Sequence, residues 1–148
     1  MLLDQSDLPE SLNAIPSAWL ATPYIYDRYP GKAEFDDPGK GANCQLFAYA
    51  VLGHFGLYVP PLRSSDLWDD SEFTHEVQLP EPLDLVFVNR TPEPYGAHIG
   101  VYADEARVLH LCKQIGRPAL WALGDFAEHE QYRTLIGFKR CMQAAGSQ

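Results

Sequence analysis

The sequence is poor in cysteine and in positive charge, and it has no long hydrophobic run. Its three cysteines are an odd number and form no CxxC pair, a pattern that indicates neither a disulfide framework nor a zinc ribbon. Eleven basic residues stand against twenty acidic ones, and the net charge of -9 argues against nucleic-acid or anionic-membrane partners. The longest apolar stretch, Leu46 to Val59, is well short of the roughly 20 residues that span a bilayer.

The amino terminus lacks the features of a secretory signal. The first basic residue is Arg28, and the apolar start ends at Asp4, whereas a signal peptide combines a cationic start with an apolar core. We therefore expect synthesis in the cytoplasm, with any export following a route that uses no signal peptide. The 148 residues are 46% hydrophobic and 21% charged, as in an ordinary globular protein, so we expect a single domain over 1–148 with a lead segment at 1–22.

Hydrophobic spacing predicts one helix followed by strands. Apolar residues recur at spacings of three and four from Cys44 to Phe55, which predicts a helix with one apolar stripe. Asn43 is a favoured N-cap residue, so Cys44 is expected in the first helical turn, at its positive end. The β-rich runs that follow predict an antiparallel sheet, and with the helix an α+β fold; they are 83–89, 97–102, 106–112, 119–123 and 135–141.

Two segments are predicted to be loops. Residues 31–41 are rich in Gly, Pro and Asp, which predicts a surface loop that leads to the helix. Residues 62–77 are acidic and aromatic without clean periodicity, which predicts a loop with a helical turn.

The turn between two of the strands brings histidines together. If residues 103–105 form a three-residue hairpin loop, His98 lies directly opposite His110 on one sheet face. Such neighbours have Cβ atoms roughly 4.5–5.5 Å apart, so one ring can orient the other. Gly100 on the same face leaves room for the Cys44 end of the helix.

These residues have the types that thiol chemistry needs. A cysteine becomes a nucleophile when a helix N-terminus and a neighbouring imidazolium lower its pKa, and a third polar group holds the imidazole in one tautomer. Cys44, His98 and His110 fit these roles. The other histidines are interpreted as surface or structural residues; they are His54, His75 and His129.

The same residue types allow two alternatives. His110 and Cys112 share a strand face and, with Cys44 and His98, would supply four ligands for a tetrahedral metal ion. The second alternative is a non-catalytic module that binds a peptide or a partner protein.

Residues 23–140 also resemble a known family, the NlpC-type cell-wall peptidases, which are papain-like cysteine hydrolases. The similar motifs are Pro23-Tyr24-Ile25-Tyr26, Asn43-Cys44-Gln45-Leu46-Phe47, Leu57-Tyr58-Val59-Pro60, Leu83-Asp84-Leu85-Val86-Phe87, Ala97-His98-Ile99-Gly100-Val101-Tyr102, Val108-Leu109-His110 and Ile136-Gly137-Phe138-Lys139-Arg140. Two features depart from the family pattern. Asn43-Cys44-Gln45 replaces the usual Asp-Cys-Ser, and Leu83 replaces the glycine before Asp84.

The resemblance implies a papain-like fold in which the nucleophile helix packs on an antiparallel sheet of about five strands, with a catalytic core at 23–141. It implies Cys44 as nucleophile, His98 as general base and then acid, and His110 as the orienting group. Tyr24 would lie near the oxyanion site, beside the backbone N–H of Cys44. No metal or cofactor is implied.

The resemblance also implies a substrate, an amide bond in peptidoglycan stem peptides between D-γ-glutamate and a diamino acid, cleaved through a thioester. We expect Asn43, Gln45 and Arg63 to contribute oxyanion or substrate contacts. Arg28 is a further candidate for binding substrate carboxylates, and Asp84 is expected to be structural.

The expected substrate lies outside the cytoplasm. Delivery as an antibacterial effector or as a phage-associated lysin would bring the protein to it. A toxin of this kind would have an inhibitory immunity protein as a partner.

Overall fold

A computed structural model describes residues 3–32 and 38–142, and it contains two α-helices and a six-stranded sheet. The helices are α1, Cys44–His54, and α2, Ser64–Asp69. The strands are β1 (Thr74–Val77), β2 (Leu85–Asn89), β3 (His98–Ala103), β4 (Arg107–Leu111), β5 (Pro118–Ala122) and β6 (Thr134–Cys141). Their order across the sheet is β1-β6-β2-β3-β4-β5, and all neighbours are antiparallel. The α+β prediction is confirmed.

The predicted strands correspond to β2 through β6, and the sheet has one strand more than expected. β1 lies within residues 62–77, which were predicted to be a loop with a helical turn; α2 is that turn. β1 is an edge strand that pairs only with β6, and two of its four residues are exposed. Such a strand carries a weak hydrophobic signal because much of its surface faces water.

α1 is buried on all sides, whereas its spacing predicted a single apolar stripe. Every residue from Gln45 to Leu52 is buried. The lead segment explains the difference, because Leu12, Ile15 and Leu20 belong to the same core cluster as α1. Its short 3₁₀ turns are Gln5–Asp7, Glu10–Leu12 and Ser17–Ala21. No helix among the described residues is long and apolar enough to cross a bilayer.

The two faces of the sheet bury different clusters. One face packs against α1 and contributes Phe87, Ile99, Val101, Leu109 and Leu111. The opposite face contributes Val86, Val88, Val108 and Phe138, and is covered by Phe126 and Tyr132. His98 and His110 contact Phe126, which places both rings on this second face.

The register of β3 and β4 differs from the predicted one. Ala103 pairs with Arg107, so the loop is residues 104–106 and the predicted pairing of His98 with His110 is wrong. The chain turns with φ values of 64° at Glu105 and 57° at Ala106, in the left-handed region that non-glycine residues adopt less often. The shift between the two strands is two residues, and because side chains alternate with a period of two, both histidines stay on one face.

Gly100 serves a purpose other than the predicted one. A Cβ atom there would lie 2.6 Å from Val108 Cγ1 and 3.1 Å from His110 Cβ. The space is therefore occupied by side chains of β4, and the expectation that the end of α1 fills it is wrong.

Candidate active site

Cys44 is the first residue of α1, where Asn43 caps the helix. The Asn43 side-chain oxygen accepts a hydrogen bond from the backbone N–H of Leu46 at 2.9 Å. Cys44 is half-buried, and the backbone N–H groups of Gln45 and Ile99 interact with its thiol. The contact with Ile99 brings the thiol to the start of β3, next to His98.

Desolvation sets the protonation state of this thiol. Burial raises the pKa of Cys44 to about 11, and it outweighs the backbone N–H groups and Arg63, which act in the opposite direction. The expectation that the helix N-terminus and an imidazolium lower this pKa is therefore wrong for the free protein. The resting group is a neutral thiol.

His98 and His110 form a buried hydrogen-bonded pair. His98 Nε2 lies 2.9 Å from His110 Nδ1. Burial lowers the pKa of His98 to about 3, and burial together with His98 and His129 lowers the pKa of His110 well below its usual value. Both rings are neutral at pH 7, so one shared proton lies between these two nitrogens.

Aromatic rings enclose the two histidines. Tyr132 stacks on His98 with ring centroids 4.5 Å apart and an interplanar angle of 22°. The ring centroids of Trp121 and His110 are 4.3 Å apart, with an interplanar angle of 71°. The ring centroids of Phe126 and His110 are 4.8 Å apart. Sequence reasoning missed Tyr132 and Trp121, since an aromatic residue in a polar turn or on an outer strand carries no local signal of a site.

The cleft at Cys44 has two lobes, which share Tyr24, Cys44, Gly96 and Ala97. The histidine lobe has a volume of about 260 Å³ and is further lined by Asn89, Arg90, His98, Lys113, Gln114, Gln131 and Tyr132. The arginine lobe has a volume of about 460 Å³ and is further lined by Tyr26, Asn43, Gln45, Arg63, Ser64, Ser65, Asp66 and Tyr95.

The structure brings Tyr24 and Arg63 to the thiol. Tyr24 lines both lobes, and burial raises its pKa to about 12, so its hydroxyl is protonated at neutral pH. The Arg63 guanidinium lines the arginine lobe, lies over the Tyr29 ring with its carbon 4.2 Å from the ring centroid, and acts electrostatically on Cys44.

Asn43 and Gln45 line the arginine lobe, but their side chains have partners within the protein. Asn43 caps α1. Gln45 accepts a hydrogen bond from Arg63 Nε at 3.2 Å and donates to the Tyr49 hydroxyl at 3.2 Å. Gln45 therefore holds Arg63 in the wall of the cleft.

Other sequence candidates lie outside the cleft. Asp84 is structural, as expected, and forms a two-point ion pair with Arg140, with both N···O distances 2.9 Å. Arg28 donates from Nε to the Gly41 carbonyl at 2.6 Å and lines neither lobe of the cleft, so its role in binding substrate carboxylates stays a prediction. His54 contacts the Ala14 carbonyl, and His129 stacks on Trp121.

The four-ligand metal site is not formed. His110 Nδ1 already bonds to His98. Within residues 3–32 and 38–142, no group of three or more His, Cys, Asp or Glu residues is arranged to hold a metal ion.

Comparison with known proteins supports the architecture. No protein-family model and no curated protein matches the sequence. The NlpC/p60 domain of the peptidoglycan hydrolase SagA superposes with a TM-score of 0.52 and 17% identity, over 82% of this chain and 88% of that one.

Two longer proteins superpose more closely. An NlpC/p60 family protein from Bacillus cereus ATCC 10987 has a TM-score of 0.61 and 18% identity, over 92% of this chain and 41% of that one. A lipoprotein-like protein of the NLP/p60 family from Staphylococcus aureus Mu50 has a TM-score of 0.61 and 20% identity. The superposition covers 90% of this chain and 42% of that one. The chain thus spans about two fifths of either protein. It has the papain-like α+β fold of the NlpC/p60 domains.

Proposed function

We propose that the protein is a cysteine hydrolase that cleaves an amide bond in peptidoglycan stem peptides, between D-γ-glutamate and a diamino acid. The observation that carries the proposal is the placement of Cys44 and His98 in one cleft, with His98 Nε2 bonded to His110 at 2.9 Å. The fold that it shares with the NlpC/p60 domain of a peptidoglycan hydrolase supports the substrate class.

The first step begins from neutral groups. His98 Nε2 is engaged by His110, so its Nδ1 atom is the base available to Cys44. Sγ attacks the amide carbon while its proton passes to His98 Nδ1, forming the C–S bond and placing a negative charge on the former carbonyl oxygen. The Cys44 backbone N–H, at the positive end of α1, and the protonated Tyr24 hydroxyl would stabilise that oxyanion.

The second step releases the amine. His98 Nδ1–H donates its proton to the leaving nitrogen as the C–N bond breaks, which leaves a thioester on Cys44. Water then attacks the thioester with His98 as base, and a carboxylic acid and the free thiol are produced. The imidazolium formed in each step donates Nε2–H to His110 Nδ1, a charge-assisted hydrogen bond that favours the transition state over the neutral ground state.

The contents of the two lobes determine how a bound substrate is oriented. Only the histidine lobe contains His98, and the same imidazole must reach both Sγ and the leaving nitrogen. The leaving amine therefore belongs in the histidine lobe and the acyl part in the arginine lobe. Arg63 is then placed to bind the free carboxylate of the glutamyl residue.

The direct test is digestion of purified muropeptides, with products identified by mass. We expect hydrolysis by the wild type, none by Cys44→Ala, and unchanged hydrolysis by the matched control Cys141→Ala. Cys141 lies on β6 and lines neither lobe. Intact muropeptides after digestion with the wild type would refute the proposal.

A second candidate is a non-catalytic module on the same fold. It is favoured by the high pKa of the Cys44 thiol. It is also favoured by the hydrogen bonds that the Asn43 and Gln45 side chains form within the protein, because these side chains are then not free to bind a substrate. Binding of stem peptides with equal affinity by the wild type and Cys44→Ala, without cleavage by either, would support this function.

We further propose that the protein is a delivered antibacterial effector or a phage-associated lysin, with an immunity protein as partner in the first case. The support is the wall substrate proposed above. Expression in the bacterial cytoplasm should leave cells intact, whereas addition of a signal peptide should cause lysis that Cys44→Ala does not. Survival in both compartments would contradict this role.

A further inference from the structure

One ring nitrogen of His110 has no hydrogen-bond partner among the described residues. The residue is completely buried, and its Nδ1 bonds to His98. Its Nε2 is also buried, and no group among the described residues forms a hydrogen bond with it. A buried polar atom of this kind is costly unless something nearby interacts with it.

The rings around His110 provide a π surface. The centroid of the Trp121 ring is 4.3 Å from that of His110, and the two ring planes meet at 71°. The centroid of the Phe126 ring is 4.8 Å from that of His110, with an interplanar angle of 56°. An aromatic face accepts an N–H group weakly, but it offers no donor to a bare ring nitrogen.

The surroundings therefore favour one tautomer. With the proton on Nδ1, His110 would donate to His98, its own Nε2 lone pair would face aromatic rings, and His98 Nδ1 would carry a proton. With the proton on Nε2, the buried N–H lies among the Trp121 and Phe126 rings, whose faces accept such a group weakly, and His110 Nδ1 accepts from His98 Nε2–H. His98 Nδ1 is then unprotonated and able to accept the thiol proton.

We propose that Trp121 is a positioning residue whose indole face accepts the Nε2–H of His110 and thereby selects the tautomer that keeps His98 Nδ1 available as a base. His129 stacks on Trp121 with ring centroids 4.5 Å apart and an interplanar angle of 15°, and this contact supports the indole in its position. The inference deepens the proposed function, and its catalytic consequence rests on it, but the tautomer can be tested without any substrate.

Nitrogen NMR of the ¹⁵N-histidine-labelled wild type provides the first test. We expect His110 to be protonated at Nε2 and bare at Nδ1, with its Nε2–H proton shifted upfield by the ring current of a facing indole. A proton on Nδ1, or an Nε2–H resonance without the upfield shift, would overturn the proposal. This measurement needs no variant.

Variants separate the π contact from general packing. Trp121→Leu should lose the upfield shift and populate the second tautomer, whereas Trp121→Phe should retain most of the wild-type pattern. Phe138→Leu is the matched control, because Phe138 lies in the same cluster but contacts Tyr102. Unchanged His110 signals in Trp121→Leu would contradict the proposal.

Kinetics on muropeptides provide a second readout. A weak hydrogen bond of this class corresponds to about two- to fivefold in rate, so kcat/KM should fall by that factor in Trp121→Leu and largely recover in Trp121→Phe. Equal losses in Trp121→Phe and Trp121→Leu would mean that Trp121 serves packing alone. A wild type with the expected NMR signature but no hydrolysis would refute the proposed function and leave the tautomer assignment standing.

Discussion

His98 Nε2 and His110 Nδ1 lie 2.9 Å apart although the two residues are offset by two positions on β3 and β4. The diagonal placement lets the two ring edges meet with their planes at 82° to each other, and Gly100 leaves space beside His110. Each ring thus directs one nitrogen at the other, and His98 Nδ1 is the atom left for the cleft. The following predictions depend on this arrangement.

Replacing His110 tests the orienting hydrogen bond. His110→Ala removes the acceptor of a charge-assisted bond, which should lower kcat/KM by about ten- to a hundredfold. His110→Asn offers a side-chain oxygen as acceptor and should retain more activity. Steady-state assays on muropeptides measure both variants, and equal activity of His110→Ala and the wild type would exclude an orienting role.

The reactivity of Cys44 should follow a high pKa. Because burial raises the pKa of Cys44 to about 11, its alkylation by iodoacetamide should accelerate by about tenfold per pH unit across the neutral and alkaline range. Mass spectrometry of a Cys112→Ala, Cys141→Ala background isolates this thiol. A fast plateau below pH 7 would instead reveal a preformed thiolate–imidazolium pair.

Acid should destabilise the fold because the unfolded chain takes up protons on histidines that stay neutral in the folded protein. The pKa of His98 is about 3 in the folded protein against 6.5 for the free side chain, so its neutral form stabilises the fold above pH 6.5. That stability is lost as the pH falls from 6.5 towards 3, by about 1.4 kcal/mol per pH unit.

Urea unfolding between pH 7 and pH 4 measures this dependence. His98→Gln should reduce the slope of this dependence and leave the part that is due to His110, whereas His75→Gln, on an exposed position of β1, should leave it unchanged. Parallel profiles for the wild type and His98→Gln would rule out His98 as the source.

Arg63 should act on substrate affinity. Arg63→Met removes the guanidinium from the arginine lobe, and loss of a charge-assisted hydrogen bond to the glutamyl carboxylate should raise KM by about tenfold or more. Arg63→Lys keeps the charge and should have an intermediate effect. Arg117→Met, outside both lobes, is the control, and a KM that does not change with Arg63→Met would refute this contact.

Lys139 should stabilise the wall of the arginine lobe. Its Nζ is buried and donates to the carbonyls of Leu67 at 3.1 Å and Trp68 at 2.9 Å, at the C-terminal end of α2. Lys139→Met removes the ammonium donor from both carbonyls, of which Leu67 keeps the backbone N–H of Asp70. It should lower the free energy of unfolding by about 1–3 kcal/mol. Chemical denaturation measures the change, and Lys113→Met, at an exposed position, should have almost none.

Much of this architecture follows from local patterns. The Asn43 cap, the helix that begins at Cys44 and strands β2 through β6 depend on hydrogen bonds and side-chain periods within a few residues. The common face of His98 and His110 is equally robust, because a register shift of two residues preserves it. The predicted loop at 31–41 lies partly outside the described residues, which omit 33–37.

Tertiary structure alone decided the rest. β1 forms because β6 presents an open edge, and α1 is covered because the lead segment folds over it. Trp121 and Tyr132 reach the histidines only after β5 and the following turns pack on the sheet. The direction of the Cys44 pKa shift depends on how much protein surrounds the thiol, since desolvation by residues distant in sequence outweighs the local field of the helix.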